Sequence, residues 1–252
     1  MGTSQSSPGP GGRSPLIPPW ADDQPQQPVP PAPPRRFQPF RRSLGDFVRT
    51  GDSGSLRSAL GHYASKGTGG GGIASRRLGS VTQSGGSLFE ALTSGGAFGS
   101  PGQEQISLND LSGQPCEIAI ARISQALSSG DGDEDKIRAA MNHALTEALD
   151  GVDIFDPGCI TDDVIVDTMI EYLAETVFLQ MVMDAGKAWN KAESAVMALR
   201  TEDELREVCR VVVDKYMAPK FEAGVRTFSR GEIIQIEKQV IIEVWNEWEG
   251  YQ

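Results

Sequence analysis

Proline and glycine are crowded into one end of this chain, and that crowding limits what the end can become. Twelve of the 16 prolines lie within residues 8–39, and 19 of the 29 glycines within the first 100. Proline removes a backbone donor and blocks the preceding helical turn, and each interior glycine costs a helix about 1 kcal/mol relative to alanine. Residues 1–34 are low in complexity and cannot bury enough apolar surface to offset the entropy of ordering them. We expect a disordered tail there, with polyproline II character near residues 28–34. Inside it, Leu16-Ile17-Pro18-Pro19-Trp20 forms an apolar island of the kind that docks on a partner.

Residues 35–103 are a basic, glycine-rich connector. Phe37, Phe40, Leu44, Phe47 and Val48 have rough helical spacing, as do Leu56, Leu60 and Tyr63, and then Leu88, Phe89 and Leu92. Glycines at 51, 54, 61, 67, 69–72, 85, 86, 95 and 96 should break these into short helices packed on something other than themselves.

Residues 104–252 read as an acidic helical domain. Apolar residues recur at three and four along Ile137–Ala148, Val166–Met181, Leu205–Tyr216 and Ile233–Trp248. The second of these helices carries Asp163, Asp167, Glu171 and Glu175 on its opposite face, which reads as a solvated ridge. Thr201 with Glu204, and Ser229 with Glu232, have capping-box spacing, and Thr161-Asp162-Asp163 puts acids at a helix start. The fold class is thus mainly α, a C-terminal helical bundle preceded by the connector and the tail.

Charge follows the same division. Residues 1–100 hold 10 Lys and Arg against 5 Asp and Glu, and the remainder holds 13 against 29, within a net −11. The acidic part repels nucleic acid and anionic lipid. In the basic part Arg35, Arg36, Arg41, Arg42, Arg49, Arg57, Arg76 and Arg77 interleave with Phe37, Phe40 and Phe47. Arginine with aromatics is what phosphate contact and base stacking use, so a nucleic-acid-binding adaptor working through Arg35, Arg36, Arg41 and Arg42 is one alternative.

Catalytic patterns are not found. His62 and His143 are far apart, with His62 read as packing beside Tyr63 and His143 as a structural or surface residue. Cys116, Cys159 and Cys209 are odd in number and widely spaced, fitting small buried thiols in a reducing cytosol. In Lys66-Gly67-Thr68-Gly69-Gly70-Gly71-Gly72 the lysine precedes the glycines and no strand leads in, the reverse of a phosphate loop. No metal, cofactor or enzyme activity is expected. No apolar run is long enough for a membrane span, and no secretory leader is expected, so the location is taken as cytoplasmic.

Gly2 remains as a chemical feature. Removal of Met1 would expose a glycine amine, unhindered and with a pKa near 8, able to attack an activated acyl group. Met1-Gly2-x-x-x-Ser6 also fits the N-myristoylation pattern, so a membrane adaptor acylated at Gly2 is a second alternative.

Met1-Gly2-Thr3-Ser4, the block Ser14-Pro15-Leu16-Ile17-Pro18-Pro19-Trp20, and Gly54-Ser55-Leu56-Arg57-Ser58-Ala59-Leu60-Gly61-His62-Tyr63 together resemble the QatB family of the bacterial Qat anti-phage system. The resemblance covers about residues 1–95. It implies a non-catalytic chain that binds a QueC-like enzyme, QatC, with the system's ATPase and TatD-like nuclease as further partners. It also implies that Gly2 is modified. The enzyme activates a carboxylated 7-deazaguanine with ATP, and the glycine amine replaces ammonia as the nucleophile. Thr3 and Ser4 would line the entry, and Leu16, Pro18 and Trp20 would dock outside the pocket.

Overall fold

The computed structural model describes residues 15–99, 105–128, 130 and 132–251. Among them are nine α-helices and no strands, only the isolated bridges Phe98–Ile106 and Pro115–Ile154. Helix α1 (Gln38–Thr50) starts with Pro39 in its first turn and stops at Gly51, whose left-handed φ of 69° lets its N–H reach the Phe47 carbonyl. Asp52 caps α2 (Ser53–His62) by accepting from the Ser55 N–H at 2.7 Å. A π-helical turn over Tyr63–Gly67 leads into α3 (Gly71–Arg77) and α4 (Gly79–Ser94). The rest follow as α5 (Cys116–Leu127), α6 (Glu134–Ala148), α7 (Asp162–Ala185), α8 (Ala195–Met217) and α9 (Arg230–Glu249).

Helix α7 is the axis of the bundle. Fifteen of its 24 residues are buried, spread round its circumference, so it cannot be a surface helix with one apolar stripe. Helices α6, α8 and α4 cover it, and α9 closes against α3, α4 and α8. One hydrophobic cluster runs from Phe37 to Trp248, across the boundary at 103 that composition suggests. The helices of residues 35–103 do pack on something else, and that something is the C-terminal bundle of the same chain.

Three local expectations change. Gly54 and Gly61 do not break α2, nor Gly85 and Gly86 α4; the latter pair lies where α9 crosses closely, so that a Cβ on Gly85 would collide with the Glu237 carboxyl and one on Gly86 would come within 2.7 Å of Ile234. Thr201 does not start a helix. Ser194 caps α8 seven residues earlier, and Thr201 Oγ1 donates back to the Met197 carbonyl inside it. The acidic ridge is solvated only at Asp163 and Asp167. Further along, α8 lays Arg210 on Glu171 (2.5 Å) and Arg206 on Glu175 (2.9 Å), and Glu175 is buried. Thr161 and the Ser229–Glu232 capping box do start α7 and α9. Cys116 and Cys209 are buried and Cys159 half-buried, all as free thiols.

Candidate functional site

Of the residues expected to act on partners, Gly2, Thr3 and Ser4 lie outside the described residues. The apolar island that follows is described, and it packs on its own chain. Leu16 and Ile17 are 4% and 6% exposed, with Leu16 lying over Gly69. Trp20 rests against Gly132, where a Cβ would approach its indole nitrogen to 2.9 Å. Pro18 and Trp20 keep part of their surface open. An apolar cluster this close to an apolar bundle gains more by covering it than by staying solvated.

Residues 15–34 contain no helix or strand, yet charged side chains strap them down. Arg76 on α3 forks onto Asp22, with Nη2 at 2.9 Å from Oδ2 and Nε at 3.2 Å from Oδ1. The same Nη2 donates to the carbonyls of Gln24 and Gln27 at 2.9 and 3.0 Å. A planar guanidinium serves this purpose because its donors are fixed in one fork. Lys238 of α9 pairs with Asp23, and Arg36 donates to the Pro15 carbonyl at 3.0 Å. Gly79 permits the close pass of the strap, since a Cβ there would lie 2.5 Å from the Ala21 carbonyl oxygen. Burial alone would raise the Asp22 pKa, but the Arg76 bonds and charge and the Gln24 N–H hold it below the ordinary value. The clamp therefore holds above the normal carboxylate range and loosens only in stronger acid. Asp22→Ala should cost about 2–3 kcal/mol of strap stability, read as faster amide exchange and protease cleavage within residues 15–27 while the bundle stays protected.

The basic stretch is largely used internally. Arg36 and Arg76 hold the strap, Arg41 donates to the Asp184 carbonyl at 2.7 Å, and Arg77 is buried against the Asp184 carboxylate. Arg57 lies over the Tyr251 ring at 4.6 Å. Arg35 and Arg42 are exposed, at either end of the α1 start. Of the four arginines expected to meet nucleic acid, Arg36 and Arg41 are thus engaged within the chain, and Arg35 and Arg42 are exposed.

A cleft of about 610 Å³ lies where α6, α7 and α8 meet, lined by His143, Glu147, Asp167, Glu171, Arg206 and Arg210 among others. His143 Nε2 is 3.8 Å from Glu175, but Arg206 holds that carboxylate more closely and also covers the Phe178 ring at 4.2 Å. Burial raises the Glu175 pKa, with Arg206 and His143 opposing. No cluster of three or more His, Cys, Asp or Glu fit to hold a metal occurs among the described residues, and none of their helices is long and apolar enough to cross a membrane.

Sequence reasoning singled out neither the strap's anchors nor the buried charges beneath it. Arg76 and Arg77 stood only as members of a basic run, and nothing in spacing pairs them with Asp22 and Asp184.

Compared with known proteins, residues 69–248 match the model of a family described as QatB, Qat anti-phage system associated protein QatB. That span is mostly the helical part, which carried no recognisable motif. No curated protein and no solved structure matches the chain.

Proposed function

Since the chain belongs to the QatB family of Qat anti-phage system associated proteins, we propose that it is a non-catalytic defence protein that presents Gly2 to a QueC-like enzyme. The observation supporting this reading is the strap. It fixes Pro15, the residue through which the chain connects Gly2 to the body, beside Arg36. Twelve residues lie between Gly2 and Pro15, thirteen steps of chain, so the two are at most about 45 Å apart. A partner bound to the body thus keeps the glycine within reach of its pocket at a high effective concentration.

In the proposed step the Gly2 amine, freed by loss of Met1, attacks the activated carboxylate of a 7-deazaguanine. An amide bond forms, the activating group leaves, and the nitrogen gives up a proton. The chain supplies the nucleophile and its placement, and the partner supplies activation. Arg77 with Asp184 and Lys136 with Asp133 form structural pairs inside the bundle, in keeping with a supporting role.

Intact-mass spectrometry on chain co-expressed with the neighbouring genes tests this. The expected result is a nucleobase-sized adduct localised to Gly2, lost in Gly2→Val along with phage protection. A fatty-acyl adduct at Gly2 would favour membrane attachment instead, and an unmodified terminus in defence-active cells would overturn the proposal.

A further inference from the structure

Pro28-Val29-Pro30-Pro31-Ala32-Pro33-Pro34 is the last stretch of the strap before α1, and no role is assigned to it above. Each proline fixes its own φ near −65° and pushes the residue before it to extended ψ, which favours polyproline II, and residues 28–33 form no helix, strand or turn. The burial pattern has the period of that helix. Val29 and Ala32, three apart, are half-buried, while Pro30, Pro31, Pro33 and Pro34 are exposed. One edge therefore rests on the body and two proline edges face out. At the C-terminal end stands Arg35, exposed and in the left-handed region at φ 56°. A groove of about 650 Å³, lined by Pro15, Leu16, Ile17 and Val29–Pro34, separates this ridge from the root of the tail.

We propose that this proline ridge is the docking surface for a protein partner whose groove is lined by aromatic rings and carries a carboxylate at the end that meets Arg35. Exposed proline rings offer apolar area with little rotamer entropy to lose, and a backbone already in polyproline II pays almost no ordering cost. The rings of such a groove fit between successive proline pairs, and a rim side chain has room in the groove beside Pro15. Arg35 sets the direction, because it places an exposed cation at one end of a ridge whose residues 28–34 carry no charge, on a chain of net charge −11. Binding here seats the partner next to Pro15, where the tail begins. The inference rests on the adaptor reading above and supplies the surface that reading lacks.

The test titrates the intact chain separately with the purified QueC-like enzyme, ATPase and TatD-like nuclease. Pro30→Ser combined with Pro33→Ser removes two outward rings and leaves Val29 and Ala32 in place, so thermal stability should be unchanged. For one of the three proteins the Kd should weaken tenfold or more in this variant, and severalfold in Arg35→Glu. A peptide of residues 27–36 should compete with the intact chain. Binding of all three proteins unaltered within twofold, or no binding of any, would overturn the docking surface. The mass of Gly2 is read in the same samples. An unmodified Gly2 with proline-dependent binding defeats only the Gly2 proposal, and a modified Gly2 with binding of all three proteins unaltered in the serine variant defeats only this one.

Discussion

Asp184→Ala should cost the fold about 3–5 kcal/mol, a large share of the roughly 5–15 kcal/mol that holds a typical domain together. Asp184 sits near the end of α7 with none of its surface exposed. Its carboxylate accepts from Arg77 at 3.0 and 3.1 Å, from the Tyr63 hydroxyl at 3.0 Å and from the Gln180 amide at 3.2 Å. Gln180 in turn accepts from Lys136 at 2.8 Å, which also pairs with Asp133 at 2.9 Å, and Ser80 donates to Asp133 at 2.8 Å. Two cations and two anions from α3, α6 and α7 thus meet in the interior. Burial works against the charge of Arg77, and Asp184, Tyr63 and Asp133 more than offset it. For Lys136 burial wins and lowers its pKa despite Asp133.

Removing Asp184 strands the buried Arg77 guanidinium and Tyr63 hydroxyl, and that stranding, more than the loss of attraction, is the cost. Urea titration should show the midpoint falling, and melting should come on the order of 10 °C earlier. Replacing both partners, as Arg77→Met with Asp184→Leu, should recover most of the loss. A change below about 1 kcal/mol in the single variant would mean that the network is not dry and does not lock α3 to α7.

How much of this was legible in the sequence depends on the range of the interaction. Helices α6 to α9 were readable because apolar spacing is a local signal, and the Ser229–Glu232 box because both its halves lie within one turn. Thr201 and Glu204 carry the same spacing but fall inside α8, where the cap is already made by Ser194. The amphipathic reading of α7 failed toward Glu175 because its cover, Arg206, comes from another helix 31 residues on. The glycines misled for a related reason. Their cost to α4 is local and visible, whereas the close crossing of α9 that offsets it is not. The strap shows the same limit. Composition marks residues 15–34 as part of a disordered tail, but Arg76, 54 residues from Asp22, holds the described part in place. Of the functional residues, the Leu16–Trp20 island was visible as apolar, and its partner proved to be the body of its own chain.

Glu237→Gln should remove a pH dependence from the stability of the whole fold. Glu237 lies on the inner face of α9 against Gly85, is 0% exposed, and neither carboxyl oxygen has a hydrogen-bond partner among the described residues. Burial raises its pKa well above the ordinary glutamate value, with no cation offsetting it. The folded protein therefore keeps the proton after the unfolded chain has lost it. Stability from this group is fully present below the unfolded pKa and is lost as pH rises toward the folded one. Across that window the slope is about 1.4 kcal/mol per pH unit, one proton's worth. The Gln variant should match the native chain within about 0.5 kcal/mol near pH 4.5 and exceed it increasingly at pH 6, 7 and 8. Taking the difference between the two chains at each pH cancels Glu175 and Asp167, whose pKa values burial also raises. Glu237→Met, which removes the unsatisfied polar atoms too, should add about 1–3 kcal/mol more at every pH. Parallel stability curves for the native and Gln chains would show that the carboxyl is hydrated or paired in solution. Such a result would also remove the reason for a glycine at position 85, since the room it leaves is filled by that carboxyl.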